Sequence, residues 1–152
     1  MGQYYKIVNK TKKEYLDPHT FGNGVKLMEF VSDGRGVLQA LGILLAEGNG
    51  RGGGDLRSDN KLIGSWAGDK VYVSGDYAES ELYWKAEKYK DISIDVYCCL
   101  CEDSWYKKEI EKDLTNRIKS DRYFFTDGER EFIKRALPSV HGILDAKERG
   151  LL

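Results

Sequence analysis

The chain has 152 residues, 24 Lys and Arg against 25 Asp and Glu, a formal net charge of -1 and 41% apolar residues. A domain of this length buries roughly 70% of its unfolded surface, so a core is within reach, and 12% aromatics with only 2 prolines exclude long disorder. A near-zero net charge argues against a general nucleic-acid binder and against a DNA mimic, both of which need a strong excess of one sign.

Residues 3–9, Gln-Tyr-Tyr-Lys-Ile-Val-Asn, are rich in strand formers and read as a strand. Residues 14–16 read as a short returning strand that completes a hairpin, ended by Asp17-Pro18-His19 because proline cannot donate to a ladder. Gly22-Asn23-Gly24 is a second turn, and residues 26–30 are ambiguous. Residues 36–47 predict a helix, with Leu38, Leu41, Leu44 and Leu45 at helical spacing and Gly48 suited to the C′ cap.

Residues 48–55, Gly-Asn-Gly-Arg-Gly-Gly-Gly-Asp, must form a loop, since glycine at this density holds neither helix nor strand cheaply. Residues 61–66 and 70–74 read as two strands of a hairpin turning at Ala67-Gly68-Asp69. From there the pattern becomes helical: residues 82–89, 91–102 and 104–118, with a kink near Asp103. Thr126-Asp127-Gly128-Glu129 is a capping box that opens a helix stopping before Pro138, and residues 140–152 are weakly patterned. Strands followed by helices, with no alternating βαβ units, predict an α+β fold: N-terminal antiparallel strands and one helix, a glycine-rich loop and a helical C-terminal half. A single domain over residues 1–152 is expected.

No stretch approaches ~18 uninterrupted apolar residues, so no membrane span or membrane partner is expected. The N-terminal residues lack the apolar run of a secretory signal. Cys98, Cys99 and Cys101 are odd in number and clustered, which suits neither a disulfide framework nor a paired zinc knuckle. A reducing cytoplasm is the expected compartment, and no metal or cofactor is expected.

The glycine loop formally matches G-x-G-x-x-G, but a dinucleotide fingerprint must follow a strand and open a helix. Its backbone N–H groups could instead form an anion-binding nest across Gly50, Arg51, Gly52, Gly53 and Gly54, with Arg51 as a clamp for phosphate or carboxylate. His19, Asp55, Asp69 and Asp76 stand at turns or strand ends; together in space they could act as acid, base or metal ligands. Trp66 and Tyr77 are aromatics beside these turns, available to stack on a ligand.

Met1-Gly2-Gln3-Tyr4-Tyr5-Lys6, Tyr15-Leu16-Asp17-Pro18-His19, the segment 21–30, the glycine loop and Gly64-Ser65-Trp66-Ala67-Gly68-Asp69 carry a further pattern. Over residues 1–77 the chain resembles an uncharacterised group of small bacterial and bacteriophage proteins that begin with Gly-Gln-Tyr-Tyr. The resemblance implies no activity. It implies a bacterial or phage source, with the host cytoplasm as location if phage-encoded, and makes host interaction a natural role.

The leading expectation is therefore a cytoplasmic binding module for a small anionic, nucleotide-like ligand or a host protein, including one that blocks a host defence protein. The alternative is a small nucleotide or phosphodiester hydrolase in which His19 and the aspartates do acid–base work and Arg51 clamps the anion. Nucleic acid is the least favoured partner, and the oligomeric state is open.

Overall fold

The computed structural model describes residues 2–120 and 123–152. Strand β1 (Tyr5–Asn9) forms the expected hairpin with β2 (Glu14–Leu16), pairing Ile7 with Leu16 and Asn9 with Glu14. The chain then turns through a 3₁₀ segment (Pro18–Phe21), in which Asp17 Oδ1 accepts from the His19 N–H at 3.0 Å. Helices α1 (Leu27–Val31) and α2 (Val37–Leu45) follow, which resolves the ambiguity at residues 26–30 in favour of a helix. Strand β3 (Val71–Gly75), helix α3 (Leu82–Lys85) with a 3₁₀ turn (Ala86–Lys88), and the two-residue strand β4 (Lys90–Asp91) complete the sheet region. The chain ends in α4 (Ser93–Leu100), α5 (Ser104–Lys119), α6 (Asp127–Ala136) and α7 (Pro138–Glu148). The fold is α+β with a helical C-terminal half.

The sheet has four strands in the order β3-β1-β2-β4, with β4 alone parallel to its neighbour. β1 is central and has cover on both faces. Ile7 and Val8 are adjacent, both fully buried, and alternation sends them to opposite sides. Ile7 joins the main core with the helices, whereas Val8 packs in a smaller cluster with Leu82 and Ala86 beneath α3.

The predicted hairpin over residues 61–74 does not form. Its second half is β3, but β3 pairs antiparallel with β1, matching Ile7 with Val73. Its first half is a chain of tight turns: Ser65 N–H donates to Leu62 O, Ala67 N–H to Gly64 O and Asp69 N–H to Trp66 O. The physical reason is the end of α2. The carbonyls of Ile43 and Leu44 accept from the N–H groups of Gly64 and Trp66, both at 2.8 Å, so this segment completes a helix terminus instead of a ladder. Gly64 has φ +75°, and a Cβ there would stand 2.5 Å from the Ala46 carbonyl oxygen. Gly48 is accordingly not the C′ cap, because α2 ends at Leu45 with Ala46 extended.

Two further boundaries follow from local chemistry. Thr126 and Glu129 exchange both capping-box hydrogen bonds at 3.1 Å, as expected. Pro138 ends α6 and is also the first residue of α7, where its missing N–H and fixed φ cost nothing, so residues 138–148 are helical despite their weak pattern.

The main core joins the two halves through a stack of rings. Tyr97 of α4 lies parallel to Phe132 of α6 at 3.5 Å between centroids and faces Phe21 of the 3₁₀ turn at 4.7 Å. Phe132 is buried at 1% exposure, whereas Phe124 is 76% exposed. Phe132→Ala should therefore cost about 3–5 kcal/mol in denaturant unfolding, and Phe124→Ala should stay within about 0.5 kcal/mol of the parent.

Candidate functional site

The glycine loop is a self-contained unit. Asn49 closes its base, donating from Nδ2 to Leu56 O at 2.8 Å and accepting the Leu56 N–H on Oδ1 at 3.0 Å. Within it, Asp55 Oδ2 accepts the N–H groups of Gly50 at 2.8 Å and Arg51 at 2.7 Å, and Asp55 N–H donates to Gly52 O. The nest expected from the glycines thus exists, but it holds an anion of its own chain. The Arg51 and Gly50 N–H groups keep the Asp55 carboxyl below the usual carboxylate range, which makes it a poor general base. A Cβ at Gly50, Gly52, Gly53 or Gly54 would meet open space, so only the backbone at Gly50 and Gly54, with φ +96° and +95°, calls for glycine.

The other candidates do not converge on this loop. Asp69 accepts from Asn9 Nδ2 at 2.9 Å and from Lys12 Nζ; both, Asn9 first, hold its carboxyl low. Asp76 Oδ1 accepts the Tyr4 N–H at 3.0 Å. These two aspartates tie down opposite ends of the β1–β3 pair, with about 15 Å of extended strand between them. Trp66 is fully buried, with its indole Nε1–H donating to Glu14 Oε1 at 2.8 Å, so it is a core residue and not a ligand-stacking one. Tyr77 is 62% exposed and lines none of the larger cavities. Among the described residues no cluster of His, Cys, Asp and Glu suits a metal ion. No described helix is long and apolar enough to cross a membrane. Burial pushes the Cys99 and Cys101 thiols up to about 12, away from nucleophilic use.

His19 alone among the expected catalytic residues opens onto a cavity with unspent charge. β2 stops at Leu16, opposite Ile7, because Pro18 follows and the chain turns away. Beyond it the Tyr5 N–H donates instead to the Val25 carbonyl at 2.9 Å, while Lys6 pairs with Ser74 of β3. Beside this corner lies a cavity of about 430 Å³ lined by Tyr4, Tyr5, Lys6, Asp17, His19, Val25 and Tyr83. The Lys6 ammonium stands 4.1 Å from the Tyr83 ring centroid and 5.4 Å from that of Tyr15, and touches Tyr83 O at 3.5 Å. It takes part in none of the ion pairs among the described residues. Burial, then the charges of Asp76 and Asp17, raises the Tyr83 phenol above its ordinary range, so it stays a neutral wall. Lys6 and Tyr83 escaped the sequence reading. Lys6 is one charge in an otherwise apolar strand, and Tyr83 reaches it only through the fold; the paired tyrosines at positions 4 and 5 were the visible signal.

A second cavity, also about 430 Å³, lies between α2, the start of α5 and the exit of the glycine loop. Gly54 and Asp55 form its rim, and Gln39, Arg57, Trp105 and Tyr106 line it. The clamp expected at Arg51 has no part in it. Two aspartates, Asp55 and Asp103, face the single cation Arg57, a mixed lining that gives an anion no advantage.

Neither the protein-family models, nor the curated proteins, nor the solved structures contain a match to this chain.

The loop's internal anion has a pH signature. A carboxyl held below its unfolded value of 3.8 contributes order above that value and loses it as pH falls through the depressed folded one. The protection of the Gly50 and Arg51 amides, taken relative to the intrinsic exchange rate at each pH, should therefore persist at neutral pH and fall only in that acidic window. In Asp55→Ala it should be absent throughout. Native thiol labelling should leave Cys99 and Cys101 unmodified until denaturant is added.

Proposed function

We propose that the protein is a binding module for a small planar ligand carrying an anionic group, a nucleotide-like molecule, held in the cavity beside the N-terminal end of β1. The observation that carries this reading is the Lys6 ammonium, half-buried against the Tyr83 ring and in none of the ion pairs among the described residues, in one cavity with His19 and three tyrosines. A half-buried cation without a carboxylate partner favours an incoming anion. The flanking phenol rings supply stacking faces for a base, worth about 1–3 kcal/mol per base stacked. Asp17 also lines the cavity, but one of its oxygens is taken by the His19 N–H, which lowers its repulsion toward an anion.

The hydrolase alternative needs His19 within reach of at least one of Asp55, Asp69 and Asp76 around a pocket; none of the three lines the cavity beside His19, and all three accept hydrogen bonds at separate places in the fold, which favours the binding reading. Binding without turnover fits what remains. If the bacterial or phage resemblance holds, sequestering a nucleotide signal from the host is the role this chemistry suits.

The test is a thermal-shift titration with adenosine monophosphate, and with adenosine and inorganic phosphate as separate arms. Saturating monophosphate should raise Tm by roughly 5–10 °C. Each half-molecule should do less. Lys6→Ala and Tyr83→Ala should abolish the shift, and Arg51→Ala should keep it. A shift lost in Arg51→Ala but kept in Lys6→Ala would return the site to the glycine loop. No shift with any arm would end the nucleotide-like reading.

A further inference from the structure

We propose that the outer edge of β3 is the contact of a two-fold dimer, in which β3 pairs antiparallel with β3 of a second copy of this chain. The inference is independent of the ligand proposed for the cavity.

β3 is at one end of the strand order, with β1 on its inner side. The direction of its backbone groups can be read from the bonds at its ends. Lys10 N–H donates to Lys70 O and Asp76 N–H to Tyr4 O, both at 2.9 Å. Antiparallel pairs alternate between bonded and non-bonded, so residues 70, 72, 74 and 76 turn their main chain toward β1. Val71 and Val73 turn theirs outward. Among the described residues these outward groups have no partner.

Exposed edges are ordinarily blunted by Lys, Pro or a bulge. Val-Tyr-Val-Ser-Gly carries none of these residues, and Tyr72 and Val73 are 47% and 41% exposed. The edge is built to pair.

The charges at its ends select the occupant. A two-fold axis through Val73 sets Val73 opposite Val73 of the second copy with free backbone groups on both sides, and Val71 opposite its Gly75, which is buried and whose carbonyl already accepts the Ala78 N–H at 3.2 Å, so the backbone pairing is confined to the centre of the strand. The same register brings Lys70 opposite Asp76 of the second copy, at both ends. Lys70 is exposed and available to such a partner. Within its own sheet the register places it against Lys10, a like charge, and neither lysine is in an ion pair among the described residues. Asp76 uses Oδ1 for the Tyr4 N–H and has Oδ2 to offer. An edge with an apolar centre, a cation before it and a carboxylate after it is complementary to itself in the antiparallel sense. A strand pair five residues long buries less than the ~1,600 Å² of a standard interface, so the dimer exchanges with monomer as concentration changes.

Sedimentation equilibrium of the full chain from about 1 µM to 1 mM tests this. The parent should pass from monomer to dimer across that range. Val73→Lys sets two lysines face to face and should weaken the dimer about tenfold. Lys70→Glu faces each new carboxylate with Asp76 and should weaken it several-fold, more at low salt than at high. Lys70 is exposed and makes no side-chain contact in the ion pairs, so that variant decides the matter should Val73→Lys fail to fold. A parent that stays monomeric throughout overturns the proposal and leaves the edge to an extended segment of another protein. A dimer indifferent to Lys70→Glu overturns it too.

Discussion

Tyr97 is the residue on which the arrangement turns. It is buried between Phe132 and Phe21, and those two rings come from parts of the chain more than a hundred residues apart. Aromatic pairs are worth about 0.5–1.5 kcal/mol beyond their buried area. Here their larger effect is positional. Phe21 closes the turn that follows Pro18, so the stack fixes where the chain goes after leaving the sheet. The buried Glu129 carboxylate reinforces the same corner by accepting from Arg117 at 3.0 Å, close to Gly22 at φ +76°. Because the turn is held there, His19 is presented at its surface and β2 cannot lengthen beyond Leu16.

The glycine loop and the cavity are opposite solutions to one electrostatic problem. In the loop, converging N–H donors meet a carboxylate supplied four and five residues away, and both are satisfied internally. In the cavity, a cation rests against aromatic faces and the Tyr83 carbonyl and joins none of the ion pairs among the described residues. Ring quadrupoles stabilise an ammonium by about 0.5–2 kcal/mol, which holds Lys6 in place without neutralising it. The feature with the stronger sequence signature is therefore the one with less left to offer a ligand.

The sheet distributes its roles by length. β1 is central and paired throughout, β2 and β4 are short, and β3 is a full-length edge. A short strand beside a long one leaves a hollow, and a long strand at an edge leaves open donors and acceptors. Both surfaces assigned a role here arise from that unevenness, on opposite flanks of β1.

What the amino-acid sequence determined by itself is the part governed by local chemistry. The first hairpin, the capping box at Thr126, the helix over residues 104–118 and the α+β order were legible because caps, turns and periodicity act over a few residues. The partner of β3 was not. Its pairing with β1 spans more than sixty residues, and the apparent hairpin partner at 61–66 was diverted to the end of α2, a competition between two long-range hydrogen-bond sets that no local pattern records. The site divided the same way. Asp55 beside glycines was visible, but that it fills its own loop's nest depends on backbone directions set by Asn49 and Leu56. His19 was visible as a turn residue. Its neighbours Lys6 and Tyr83 were decided only when tertiary structure brought α3 over the sheet, because a charge shows as unpaired only after every residue that might have paired with it has been placed.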